Sequence, residues 1–342
     1  MNNENNQFIL LNESNNSNNS LSLFEKTTNK LILQHPIETN LSLLNEDIIN
    51  KNNTIIETYG GHLVTLFNYD NIWYSLIDNQ ITNNIPTEFN DIINNLNINY
   101  YYLFMLNNNT LIKKNNKYNL IYVKQKYDLN EINIEYLNIN KQKRLSFANL
   151  NELSFFLYNI SQSNIKSSKL TIEGIIIFIN NTFIKIQTEC YKNVIKLKPK
   201  NKNIHIGYLE LYQKDLLLNY LPFDTEYSVD ILKRINISLK TIAEEILNLY
   251  YFIQNNTCYD ILPDIYTNIL NDINHKYNYS TKNKYSIKIN IHHIYYYIKN
   301  MNTTQLIDVY KNRHILEKNI LFDKIINKNC IYTKTQIYFL SK

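Results

Sequence analysis

A chain of 342 residues, 44% of them hydrophobic, can fill one large core or two ordinary ones, which excludes an intrinsically disordered segment or a disulfide-stapled miniprotein. Its formal net charge of +5 suits a polyanionic partner but falls far short of a dedicated nucleic-acid coat protein. The three cysteines, Cys190, Cys258 and Cys330, are widely spaced and form no CxxC, so they imply neither a disulfide framework nor a zinc site and read as reduced and buried.

The chain carries 29 tyrosines against 4 glycines and 5 prolines and is crowded with Asn, Ile and Lys. Such usage describes an A/T-rich genome, of a parasite or a large virus, more than a function. It also blunts turn signals, because Asn stands inside elements that it would ordinarily end. The first residues lack a basic stretch followed by an apolar one, and no segment reaches the roughly 18 apolar residues of a membrane span. The expectation is a soluble, cytoplasmic protein, in the host cytoplasm if viral.

In chain order, residues 1–20 are Asn- and Ser-rich and predict a flexible arm. From Leu31 to about Ile206, short runs rich in Ile, Val, Tyr and Phe predict strands: KLILQH, HLVTLFNY, NIWYSLI, YYYLFML, YNLIYVKQKY, LTIEGIIIFI and TFIKIQT. Asn68 to Asn71 and Asn180-Asn181 are read as hairpin turns. EFNDIINNL and NLNELSFFLYNI predict helices, the second with Leu153, Phe156, Leu157 and Ile160 on one face. After Pro199 and Pro222 the apolar period lengthens, predicting helices over 230–252, 264–273, 289–299 and 305–326. Ser228 and Thr303 or Thr304 are the N-caps that the sequence offers. The expected division is an arm (1–20), a sheet domain (21–222) and a helical domain (223–342).

Few residues stand out chemically. Gly60 and Gly61 sit together at a strand entry, fit for a tight turn or a close approach to a ligand. Glu173-Gly174 interrupts an apolar strand, and a buried Glu needs a cation or a metal, unless the position faces outward on a half-solvated sheet. Lys185, on the next strand of the same hairpin, either joins that carboxylate in a site or forms a modest surface pair with it. His292 and His293 are adjacent on a helix and so point to different faces, which does not make a metal pair. Tyr295, Tyr296 and Tyr297 beside Lys299 suit either base stacking or packing.

In this order the features resemble phage-type ATP-dependent RNA ligases, of the RNA ligase 1-like branch of the covalent nucleotidyltransferases. INKNNTIIETYGGHLVTLFNYDNIWYSLI is similar to the stretch in which a strand carries Lys-x-Asp-Gly-x-Leu and runs into a hairpin ending in Trp-Tyr. INYYYLFMLNNNTLI resembles the strand with Phe-Glu-Leu, IEGIIIF the Glu-Gly strand, and FIKIQTECYKNV the closing Lys-x-Lys strand, so the resemblance spans roughly residues 25–200. It implies an α+β fold: an antiparallel two-sheet nucleotidyltransferase (ATP-grasp-like ligase) domain followed by an all-helical one. It also implies RNA as partner and ATP with Mg²⁺ as cofactors.

Carried over residue by residue, the resemblance puts Thr58 where the nucleophilic lysine stands and Gly60 where the acidic residue stands, with Gly61 and Leu63 kept. Met105 takes the place of a glutamate, Ser75 to Asp78 lack the expected arginine, and Gln187 replaces the second lysine of the last motif. Glu173, as the metal ligand, Gly174 and Lys185 are kept. On this reading Thr58, Glu173 and Lys185 mark the catalytic positions, and Gly60, Gly61, Met105, Gly174 and Gln187 line the nucleotide. Threonine lacks the amine that forms a phosphoramidate, so the implied protein of RNA end joining or repair is a pseudoenzyme. The alternatives are a non-catalytic module that binds RNA or protein, an active ligase whose nucleophile lies elsewhere, and an unrelated viral structural protein. The Lys-rich run from Lys192 to Lys202 reads either as a phosphate-tracking segment or as a solubilising linker.

Overall fold

A computed structural model describes residues 7–15, 18–39, 46–49, 53–107, 111–112, 116–132, 139–179, 182–224, 230–256, 262–278, 288–319, 321–322 and 325. The chain forms two compact units, Met1–Ile195 and Lys196–Lys342. The sequence reading set its change of character later, at 222.

The first unit contains the strands β1 (Phe8–Asn15), β2 (Asn18–Glu25), β3 (Leu31–Glu38), β4 (Thr54–Thr58), β5 (His62–Tyr69), β6 (Ile72–Ile77), β7 (Gln80–Thr82), β8 (Tyr100–Leu106), β9 (Tyr118–Gln125), β10 (Arg144–Leu145), β11 (Gly174–Ile179) and β12 (Thr182–Gln187). Among the described residues they form a seven-stranded sheet ordered β1-β2-β3-β12-β11-β4-β10 and a five-stranded sheet ordered β7-β6-β5-β8-β9. Neighbours run antiparallel except β3 and β12, which pair in parallel through Thr182 with Ile37 and Phe183 with Glu38. With helices filling the second unit, the fold is α+β as expected.

Residues 8–15 and 18–25 pair as strands where composition predicted a flexible arm. The physical reason lies in the short apolar start of β1. Phe8 packs edge-on against Phe67, Tyr69 and Tyr74, with ring centroids 5.0–5.8 Å apart, and such aromatic contacts offset the ordering of a polar ribbon.

Alternation of side chains across each pleat builds three layers of core. Between the sheets, Leu21, Leu23, Ile32 and Leu33 meet Phe67, Tyr74, Leu76 and Tyr101, and Ile56, Ile176, Phe178 and Phe183 meet Leu103, Met105 and Ile121. The outer face of the larger sheet, through Ile55, Ile175, Ile177 and Ile184, receives Leu153 of α1 (Leu150–Ser167). The helix begins on Asn149, whose side chain accepts the Glu152 N–H. The outer face of the smaller sheet is covered by Phe89 and Leu96. EFNDIINNL forms two short 3-10 turns, Thr87–Phe89 and Ile93–Asn95, and not an α-helix. Asn and Asp are weak helix formers, and burying Phe89 needs only one turn.

Two-residue turns join β5 to β6 through Asp70 and Asn71 and β6 to β7 through Asp78 and Asn79, with all four residues at positive φ between 47° and 64°, as tight hairpins require. The turn at 180–181 lies outside the described residues, but Ile179 pairs with Thr182 across it.

The end of the first unit and the second unit are helical: α2 (Glu189–Leu197), α3 (Ile204–Gln213), α4 (Leu217–Tyr220), α5 (Asp230–Asn256), α6 (Asp264–Asn278), α7 (Ile291–Lys299) and α8 (Thr303–Lys318). The first half of the Lys-rich run thus belongs to α2, and Lys196 and Lys200 are exposed. Asn302, not Thr303 or Thr304, caps α8 by accepting the Thr304 N–H, while Ser228 lies outside the described residues. Asn290 and His293 form a reciprocal capping box on α7, which gives His293 a structural task. Cys190 is free and buried, and Cys258 and Cys330 lie outside the described residues. Among the described residues no helix is long and apolar enough to cross a membrane.

Candidate functional site

Three neighbouring strands, β4, β11 and β12, bring most of the singled-out residues into one row. The register sets Thr58 opposite Gly174 and Gly174 opposite Gln187; two residues along, Ile56 faces Ile176 and Ile176 faces Lys185. Ile56 and Ile176 belong to the core between the sheets, so the side chains of Thr58, Lys185 and Gln187 share that inner face.

Glu173 lies just before β11 and is pinned on both sides of its backbone. Its N–H donates to the Thr58 carbonyl at 2.7 Å, and its carbonyl accepts from the Thr188 N–H at 2.8 Å and the Thr188 hydroxyl at 3.1 Å. Thr188 also accepts the Tyr191 N–H, so one threonine both starts α2 and fixes the glutamate. Gly174 permits this closeness: a Cβ there would fall 1.9 Å from the Ile186 carbonyl oxygen.

The Glu173 side chain is only 2% exposed, and its carboxylate is fully engaged. Oε1 accepts from Lys185 Nζ at 2.7 Å and from Gln187 Nε2 at 2.6 Å, and Oε2 accepts from the Thr58 hydroxyl at 3.4 Å. Lys185 retains 21% of its side-chain exposure. The Glu–Lys pair is therefore internal and does not lie on the solvated outer face. A buried charge of this kind persists because a cation and hydrogen bonds replace water.

Lys185 is also the link to open space. A cleft of about 320 Å³ is walled by Gly61, Met105, Phe183 and Lys185, together with His35, His62 and Asp78. Met105 and Lys185 thus meet in one cleft between the sheets, while Thr58 and Glu173 lie behind its wall, both buried. Gly60 and Gly61 make the crossing from β4 to β5 at φ of 79° and 146°, and a Cβ on Gly61 would lie 1.9 Å from the Leu106 carbonyl oxygen. The glycine pair serves as a close backbone approach to β8 at the cleft edge. The Gly60 N–H points to the Thr58 hydroxyl at 3.4 Å.

The described residues contain no group of three His, Cys, Asp or Glu side chains that could hold a metal ion. The Glu173 carboxylate is already shared by an ammonium, an amide and a hydroxyl, so a cation would reach it only in competition with Lys185.

Two features of the cleft had no sequence signal. His35, within the strand KLILQH, is buried, and its Nδ1 lies 2.7 Å from the Thr65 hydroxyl across the two sheets. Desolvation drives its pKa down from the usual 6.5 to about 4, with a smaller opposing pull from Asp78, so the ring is neutral at physiological pH. His62 and Asp78 approach to 3.3 Å and bring a partly exposed polar pair to the cleft wall. A lone histidine in a strand carries no pattern that distinguishes this position from a surface one.

No family model matches the chain, and no curated protein matches it. Solved structures with a similar arrangement include the "Putative ATP-dependent DNA ligase from Aquifex aeolicus", 13% identical over 68% of this chain and 74% of that one at a TM-score of 0.37. Two structures titled "Archaeal ATP-dependent RNA ligase", form 1 and form 2, are similar as well. Form 1 is 9% identical over 68% of this chain and 76% of that one at a TM-score of 0.34. Form 2 is 10% identical over 69% and 76% at a TM-score of 0.36.

Proposed function

We propose that this chain is a degenerate relative of the phage-type RNA ligases that holds a nucleotide or an RNA end in the cleft without forming a covalent adenylate. One observation carries the reading. The positions that the sequence resemblance assigns to the nucleophile, the glutamate and the retained lysine come from β4, the residue before β11, and β12, and Thr58 and Lys185 both meet the Glu173 carboxylate. Their convergence on one carboxylate supports the resemblance over a chance match in an Ile- and Asn-rich sequence.

The chemistry of the row argues against group transfer. Thr58 supplies a hydroxyl with no free base, because the carboxylate beside it is committed to Lys185. Lys185, the one lysine of the cleft wall among the described residues, is held by that same carboxylate. Its retained exposure leaves the ammonium able to meet one phosphate oxygen as a point charge. The volume of about 320 Å³ stands at the low end of ligand clefts and suits a nucleoside-sized group.

The test is incubation of the whole chain with α-labelled ATP and Mg²⁺, followed by denaturing electrophoresis and peptide mapping. The expected result is no covalent label, with ATP or a 5′-phosphorylated oligonucleotide bound reversibly and more weakly by Lys185→Met. Stoichiometric adenylation of any lysine would sink the proposal.

A further inference from the structure

The helical unit carries a cluster that the cleft does not use. At the end of α6, Lys276 Nζ lies 5.8 Å from the ring centre of Tyr277, 5.7 Å from that of Tyr296 and 5.8 Å from that of Tyr297. All three lie within cation–π range. Tyr277 packs against His293 of α7 at 4.7 Å with ring planes 36° apart. Tyr297 is fixed by donating to Asp272 at 2.7 Å. Tyr296 is 60% exposed. Among the described residues Lys276 makes no ion pair, nor does the exposed Lys288 that precedes α7.

Each element of this surface has a use in holding an unpaired nucleotide. A rigid exposed ring offers a π-face to any base, and an ammonium held beside it by three rings is placed for the adjoining phosphate. Asp272, one turn before Lys276 on α6, is engaged by the Tyr297 hydroxyl, and Lys276 and Lys288 add positive charge that complements a phosphate backbone. Duplexes hide their base faces, so the chemistry selects single strands. A core explanation does not serve for Tyr296, since most of its surface meets solvent.

We propose that the face formed by the end of α6 and by α7 is a single-stranded nucleic-acid surface, with Tyr296 as the stacking platform and Lys276 as the phosphate clamp. It lies in the second unit and does not depend on the cleft reading. A covalent lysyl-adenylate would overturn that reading and leave this one untouched.

The experiment measures anisotropy of the full chain with labelled oligo-rU, oligo-dT, a duplex and an abasic strand, each of about twelve nucleotides, a length within ordinary single-strand site sizes. Tyr296→Ala is expected to weaken binding of single strands about tenfold, the scale of one lost stacked base, and Tyr296→Trp to restore it. Lys276→Gln is expected to weaken binding and flatten the salt slope by about 0.7. The abasic strand should not distinguish Tyr296→Ala from the parent, and the rU and dT arms separate RNA from DNA as the preferred strand. Equal affinity of Tyr296→Ala and the parent for both single strands, or no binding of either strand by the parent, would overturn the proposal.

Discussion

Glu173 shows how one side chain sets the character of its surroundings. It is buried, and its charge is offset by Lys185 with Gln187 and Thr58 as hydrogen-bond partners. Removing the cation should cost more than removing both charges. Lys185→Met is expected to destabilise the protein by about 2 to 3 kcal/mol, whereas Glu173→Gln with Lys185→Met should cost less, since no uncompensated charge remains. Urea denaturation of both variants checks this; equal losses would mean that water reaches the carboxylate. His35 makes the companion case with a sign fixed by its depressed pKa of about 4. The folded ring stays neutral while the unfolded ring binds a proton below about pH 6.5, so its contribution is complete above 6.5 and declines as pH falls toward 4. Between pH 6.5 and 5 the loss should be about 1.5 kcal/mol. Denaturation midpoints across that window should fall more steeply for the parent than for His35→Gln.

Individual elements differ in how plainly the sequence announced them. The strands and the long helices were legible because apolar periods of two and three-to-four are direct imprints of a pleat and a helix. β1 was not, since its four apolar residues are diluted by Asn and Ser that composition assigns to an arm, and β4 is only five residues long. Within the helical unit, a contact invisible to periodicity joins α5 to α8. Arg313 is fully buried and grips Glu245 through Nε at 2.8 Å and Nη2 at 2.6 Å, with Glu317 on its third nitrogen. Arg313 was legible only as a charged residue within a predicted helix. Truncating it to Ala strands the Glu245 carboxylate in an apolar interior, with an expected loss of about 4 kcal/mol. Arg313→Met with Glu245→Met should regain most of that in thermal or urea unfolding; an equally deep loss in the double variant would show that packing, not charge, is at stake.

At the scale of the molecule, the two-sheet plan and the helical second half could be read in advance, whereas the site could be read only as a set of positions. Motif order named Thr58, Glu173, Lys185 and Gln187, but periodicity cannot say that Glu173, one residue before β11, turns its side chain onto the inner face. Nor does it reveal Thr188, which holds the glutamate in place, or the burial of His35. Such facts depend on partners that periodicity does not link, 115 residues apart for Thr58 and Glu173, 30 for His35 and Thr65 and 15 for Glu173 and Thr188.

The parallel seam between β3 and β12 is short. Two residue pairs, with one further hydrogen bond from the Thr39 N–H to the Phe183 carbonyl, join the β1-β2-β3 ribbon to the rest of its sheet. So short a ladder is a natural line of subglobal opening. In native-state hydrogen exchange, the ribbon amides should therefore form their own isotherm, reached at lower denaturant than the amides shared by β11 and β4.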